Sequence, residues 1–252
     1  MRALRHACIL LTLALAIGGC VKFKQVWTVN PDGSGKVTQT FGFSERALQE
    51  APKDPFDNLD NPEELIDSED EGFVAFTRPQ IRTEGGYKYA TFTAYFENIN
   101  NVTLSGDAGN GEMEATHYQL KDGTFTVSDG MLGQIITTID NDAQYRDPTY
   151  RPVFLDMMEG MEFGESYDLP GKITDAQGYT ADGDVARTTV TIKELLGDPN
   201  AKLNKLKDNK QTITFTPTGW QGGEAAWKAE LAAAKAEWAA MKNNTPASAG
   251  TE

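Results

Sequence analysis

The sequence predicts an α+β domain: a mainly antiparallel sheet built from hairpins, with short helices on one face and a long C-terminal amphipathic helix. Three observations carry that expectation. Segments with the two-residue period of half-buried strands recur between clusters of turn-forming residues. The region from 218 to 242 has a helical period instead, and strands and helices do not alternate in the regular way of a nucleotide-binding sheet. The 252 residues are 39% hydrophobic, enough for a core, and set 23 Lys plus Arg against 37 Asp plus Glu. A net charge of −14 repels phosphate backbones, so nucleic acid is excluded as an expected partner.

The first hairpin is read from Val21, Phe23, Trp27 and Val29, which alternate with Lys22, Lys24, Thr28 and Asn30. Pro31 to Gly35 supplies turn chemistry, and Val37, Phe41 and Phe43 form the returning face. Ser44 caps a short helix over residues 45 to 50. Residues 54 to 71 then hold nine acids and no base. A second hairpin follows, with arms at 73 to 82 and 87 to 97 around Glu84, Gly85 and Gly86. On its second arm Ala90, Phe92, Ala94 and Phe96 share one face, and Tyr87, Tyr89, Thr91, Thr93 and Tyr95 the other. Phe92, Phe96, Tyr87, Tyr89 and Tyr95 are therefore the candidate binding face, with ordinary sheet packing as the plainer alternative.

Further strands are expected at 112 to 121, 124 to 127, 161 to 169, 184 to 192 and 211 to 216, with one or two short helices in 194 to 207. Residues 129 to 160 read as an insertion over the sheet. Ile135, Ile136 and Ile139 fit a strand or a buried helix, and 152 to 161 looks helical. In the C-terminal helix, Trp227, Leu231, Ala234, Trp238 and Met241 are spaced 4, 3, 4 and 3. That seam either packs on its own domain or makes Trp227, Leu231, Trp238 and Met241 a helix for a protein partner. Residues 243 to 252 read as a disordered tail.

The chain starts with Arg2, Arg5 and His6, followed by eleven nearly pure apolar residues from Ala7 to Ile17. A transmembrane helix needs about 20 such residues, so 1 to 19 reads as a secretory signal. Gly18, Gly19 and Cys20 resemble the lipobox of bacterial lipoproteins. That resemblance implies cleavage between Gly19 and Cys20, a diacylglycerol thioether on the Cys20 thiol, and a further acyl chain such as palmitate on the new amine. Two or three chains exceed the marginal hold of one. The expected location is the cell membrane or outer membrane, lipid-anchored on the exported side; Val21, in place of an Asp, favours the outer membrane. Without residues 1 to 19, 21 bases face 37 acids, and one cysteine and one histidine remain. No disulfide within the monomer is then expected.

Little catalytic chemistry is left. A Ser, His, Asp triad would depend on His117, in an alternating strand, and no serine lies in a G-x-S-x-G frame. One histidine and a blocked thiol cannot form a usual zinc shell, and no P-loop is present. Asp140, Asp142 and Asp147, like Asp175, Asp182 and Asp184, do not follow the calcium-loop pattern. The expectation is no enzyme, no cofactor and no metal. A carboxylate-based hydrolase is the enzyme alternative, although no pair of acids stands out by spacing.

Three stretches together resemble the LppM-domain bacterial envelope lipoproteins. They are Gly19 to Phe23 leading into Asn30-Pro31-Asp32-Gly33-Ser34-Gly35, then Tyr95-Phe96-Glu97-Asn98-Ile99-Asn100, and then Leu169-Pro170-Gly171-Lys172-Ile173 with Gly178. The resemblance covers about residues 20 to 217 and implies an antiparallel α+β domain held at a membrane, with binding of lipid or glycolipid in an apolar pocket. It supplies no catalytic residues. The functional expectation is a membrane-anchored, non-catalytic binding or scaffolding module. The alternative is an assembly protein working through its C-terminal helix.

Overall fold

The computed structural model describes residues 21–51, 53–57, 59, 70–107, 112–197 and 200–244. The leader, Gly19 and Cys20, most of the acidic stretch and the final eight residues of the tail lie outside the described residues. What is described is α+β, mostly antiparallel, with two sheets in place of the single sheet expected.

Strands β1 (Val21–Val29) and β2 (Gly35–Ser44) form the first hairpin, with Val21 opposite Phe43 and Val29 opposite Gly35. Gly33, at φ 82°, and Ser34, which donates to the Asp32 carboxylate, make the turn. A Cβ at Gly35 would lie 2.1 Å from the Thr28 carbonyl oxygen and 2.6 Å from the Phe96 ring, so only glycine fits this close approach. Ser44 caps α1 (Glu45–Glu50) by accepting from the Ala47 N–H.

The expected strand over 73 to 82 is two strands, β3 (Phe73–Phe76) and β4 (Gln80–Glu84). Both pair with β5 (Tyr87–Phe96), at different levels. Pro79 separates them, because it has no N–H to offer the ladder. Strand β9 (Glu162–Asp168) runs parallel to β1, with Lys22 opposite Glu162. Beyond it come β12 (Val185–Thr191) and the short β11 (Thr180–Asp182), so the larger sheet reads β11-β12-β9-β1-β2-β5-β3, with β4 also on β5.

The second sheet is β10-β13-β8-β7-β6, made of β6 (Thr103–Asp107), β7 (Glu112–Lys121), β8 (Thr124–Ser128), β10 (Gly171–Ala176) and β13 (Lys210–Pro217). Its Tyr118 and Phe125 meet Trp27 and Tyr167 of the first sheet, with ring centroids 4.4 Å apart for Trp27–Tyr118 and 5.2 Å for Phe125–Tyr167. Trp27 and Phe125 have no exposed surface. The inward face of β1 is thus buried at its far half by the second sheet.

Residues 131 to 157 hold three helices separated by breaks at 142 and at 147 to 150. Leu132, Ile135, Ile136 and Ile139 are buried on one side of α2 (Met131–Asn141), which resolves the strand-or-helix ambiguity in favour of the 3.6-residue period. α3 (Ala143–Arg146) and α4 (Arg151–Met157) lead into β9. α2 packs with α5 (Ile192–Leu195) and α6 (Ala201–Leu206). α7 (Glu224–Asn244) lies along β3, at the end of the large sheet's strand order.

Candidate functional site

The candidate binding face divides between three environments. Phe92 and Phe96 are core residues: Phe92 meets the Phe41 ring at 6.4 Å, and Phe96 meets Trp27 at 6.0 Å and Phe73 at 6.5 Å. Their surroundings are filled by aromatic side chains. Tyr95 is covered by α7, whose Trp227 stacks on it at 5.9 Å. Tyr87 and Tyr89 are half-buried and stacked at 5.8 Å, under Lys22 and Arg82 respectively. The five residues therefore do not form one surface, because strand alternation sends Phe92 and Phe96 inward and α7 takes Tyr95.

The C-terminal seam is occupied by the chain itself. Trp227, Trp238 and Met241 are buried and Leu231 is half-buried against the sheet, with Trp238 5.2 Å from the Phe76 ring. Glu230 accepts from Lys36 Nζ at 2.6 Å and from the Tyr95 hydroxyl at 3.0 Å, and Lys235 pairs with Glu97. Burial and the Glu230 carboxylate push Tyr95 up to about 12. The four residues read as a partner surface are spent on this docking.

A groove does form where the three motif stretches converge, at the ends of β1, β5 and β9. One part, of about 370 Å³, is lined by Pro31, Asp32, Asn98, Asn100, Lys121 and Pro217; an adjoining part, of about 550 Å³, by Asn30, Asp168, Lys172, Asp184, Trp220 and Gln221. Pro31, Pro170 and Thr218 line both. Several motif side chains are committed to the turns. Asn30 donates to Ser34 Oγ, Asn98 accepts from the Asn100 N–H, and Asn100 accepts from the Leu120 N–H. The motifs thus specify the walls. Burial, and then the nearby Asp184, raise the Asp168 carboxyl above its ordinary value. A half-buried Trp beside two carboxylates, an amide and a lysine suits a polar, polyhydroxylated ligand better than an acyl chain.

One buried carboxylate escaped the sequence reading. Glu165 faces inward between Phe163 and Tyr167 on β9 and is 5% exposed. It accepts from the Tyr179 hydroxyl at 2.9 Å, from Tyr167 at 3.4 Å and from the Leu132 N–H in the first turn of α2. Burial raises its pKa, and these donors partly offset the rise. Burial, with the Glu165 carboxylate beside them, holds Tyr118, Tyr167 and Tyr179 well above their ordinary values. Register aligns Glu165 with Gln25 on β1, Gln25 with Gln39 on β2, and Glu165 with Thr188 on β12, so a buried polar row crosses the sheet. Thr188 Oγ1 is the one buried side-chain polar atom without a partner among the described residues. The signal was present in sequence: an acid at an inward position of an alternating strand.

The other acids serve local structure. Asp140 pairs with Lys207, Asp142 caps α3 through the Gln144 N–H, Asp147 accepts from Thr149 N–H, and Asp182 pairs with Arg187. His117 is exposed and lies 3.3 Å from Thr103 Oγ1.

No protein-family model and no curated protein matches the chain. Among solved structures, the folded domain of Mycobacterium tuberculosis LppM is similar at 7% identity, over 80% of this chain and 93% of that one, with a TM-score of 0.36. This chain is a weak fold-level neighbour of LppM. A two-domain M1 zinc metallopeptidase bound to L-tryptophan is similar at 12% identity, over 78% of this chain and 43% of that one, with a TM-score of 0.24. Similarity to LppM at that level transfers no ligand. No helix among the described residues is long and apolar enough to cross a membrane.

Proposed function

We propose that the chain is a lipid-anchored envelope protein, acylated at Cys20, whose folded domain is a non-catalytic binding module with its groove at the end far from the anchor. The observation that carries the reading is the path of β1. It begins at Val21, one residue after Cys20, and reaches the groove wall at Thr28 and Val29. Nine residues at about 3.3 Å each place the groove about 30 Å from the anchored end. A lipid headgroup in the same leaflet does not extend that far. The groove instead faces envelope material above the surface, and its Trp220, Asp168, Asp184 and Gln221 favour a glycan or the extended glycan of a glycolipid.

Cys20→Ser is expected to leave residues 1 to 19 attached and to lose the mass of the acyl chains, read by intact mass. A parent protein that carries no acyl mass, or that keeps its leader, would discard the anchor. For the groove, Trp220→Ala should lower affinity for a bound envelope glycan at least tenfold, about the loss of one aromatic contact, in a glycan-array and titration measurement. Turnover of a glycan that Asp168→Asn abolishes would replace the binding reading by the hydrolase alternative.

A further inference from the structure

Two stripes of tyrosine on one strand are treated differently by the fold. α7 makes its contacts with Lys36, Tyr95, Glu97 and Phe76, all toward the groove end of the large sheet. Tyr87 and Tyr89 lie at the other end. Register fixes their level: Lys22 is opposite Gly42 and Gly42 opposite Tyr89, while Val21 is opposite Phe43 and Phe43 opposite Lys88. Tyr87 therefore stands one position beyond Val21, on the side from which the chain enters the sheet. Two strand spacings, about 10 Å, separate β5 from β1.

We infer that this corner, formed by Lys22, Lys24, Arg82, Tyr87 and Tyr89 with the Gly85–Gly86 turn, docks on the surface of the phospholipid bilayer that receives the acyl chains. The inference rests on the anchor at Cys20 proposed above. The chain outside the described residues supplies the first argument, since its apolar run and cysteine end one residue before β1. With no residue between the cysteine and β1, the corner starts within reach of the headgroups, and its composition decides whether it lies on them. Its composition suits that level. Tyr89 lies flat over Gly42, where a Cβ would come within 2.5 Å of the ring, and Arg82 sits 5.1 Å above the ring centroid. Lys22 is 4.7 Å above Tyr87, and Lys24 is exposed. Amphipathic rings beside snorkelling cations are the side chains that settle at membrane interfaces.

Charge decides the orientation. Among the described residues the neighbouring acids are Glu162 opposite Lys22, Glu84 at 3.9 Å from Arg82, and Glu45, whose N–H donates to the Gly86 carbonyl. Arg46 with Glu50 and Lys88 with Asp54 are neutral pairs. Among the described residues the corner is thus balanced, whereas the chain as a whole carries −14. An anionic surface repels this corner less than it repels the chain on average.

The test uses the full acylated protein in vesicles of phosphatidylcholine and phosphatidylglycerol with brominated acyl chains. Because the Cys20 thiol is blocked and Cys8 leaves with the leader, Glu84→Cys or Gln221→Cys provides a single labelling position. A fluorophore attached through Glu84→Cys should be quenched several-fold more than one attached through Gln221→Cys. Adding Lys24→Glu and Arg82→Glu to the Glu84→Cys chain should reduce that quenching about twofold or more, with flotation and thermal midpoint unchanged. Flotation with equal quenching at both positions, or quenching indifferent to the charge reversal, overturns the docking while the anchor stands. Failure to float at all removes the anchor, and this inference with it.

Discussion

Replacing Glu165 by Ala should destabilise the domain by about 3–5 kcal/mol, measured by denaturant unfolding, because it strips the shared acceptor from two buried donors and the half-buried Tyr179 hydroxyl. The Tyr179 and Tyr167 hydroxyls and the Leu132 N–H lose their common acceptor, and the first turn of α2 loses this hydrogen bond to β9. Glu165→Gln keeps the shape and one acceptor and should cost about 1 kcal/mol. The pair also separates geometry from charge. Burial raises the native pKa of Glu165 above the ordinary 4.5, so the native state holds this proton more tightly than the unfolded chain. The stabilisation it confers is complete below the unfolded value and is lost as pH rises through the native one. Relative to Glu165→Gln, the parent protein should therefore lose stability as pH rises from about 4.5. A parent-minus-variant difference that is flat, or that increases with pH, would show that the carboxylate is not held in a desolvated site.

Removal of the Trp238 side chain is the second large effect expected. Trp238 fills the space between α7 and Phe76, and Lys242 lies 5.4 Å above its ring. Truncating a buried Trp costs about 3–5 kcal/mol where the site cannot collapse. A peripheral helix offers a cheaper escape, since α7 can leave the sheet, and a 21-residue alanine-rich helix alone is only marginally stable. The expectation for Trp238→Ala is thus loss of α7 docking ahead of global unfolding. Hydrogen exchange should accelerate across 224 to 244 first. The Tyr95 phenol, held up to about 12 under α7, should return toward 10.0 in an ultraviolet titration as the Glu230 carboxylate and the cover of Trp227 withdraw. A variant that unfolds in one step, with Tyr95 unchanged until it does so, would mean that α7 is inseparable from the core.

Most strands were legible because alternation writes burial directly into sequence. Val21 to Val29, Gly35 to Ser44 and Tyr87 to Phe96 were read with nearly their observed bounds. Short strands left no such record: β11 has three residues, all exposed, and β10 has a bulge between Ile173 and Asp175 that breaks its period. The C-terminal seam was read at its true spacing, but spacing does not say what covers a helix face. The two acidic triplets were read as lacking the calcium-loop pattern, and spacing alone could not say which of their members are held in ion pairs with distant residues, as Asp140 is with Lys207.

The groove shows the same division. Its turn residues stood out as motifs, yet nothing local indicated that Asn30 to Gly35, Asn98 to Asn100 and Leu169 to Lys172 meet, since that depends on β1, β5 and β9 ending at one edge. The sequence by itself determined the two-faced strands, the turns, the helical seam and an overall charge of −14, because each is a matter of local period or composition. Only the tertiary structure decided that there are two sheets, that α7 folds back on its own domain, that Phe92 and Phe96 are core, and that a carboxylate lies buried beneath α2. Those outcomes depend on which distant surface removes a given side chain from water, and that choice is made by the whole chain at once.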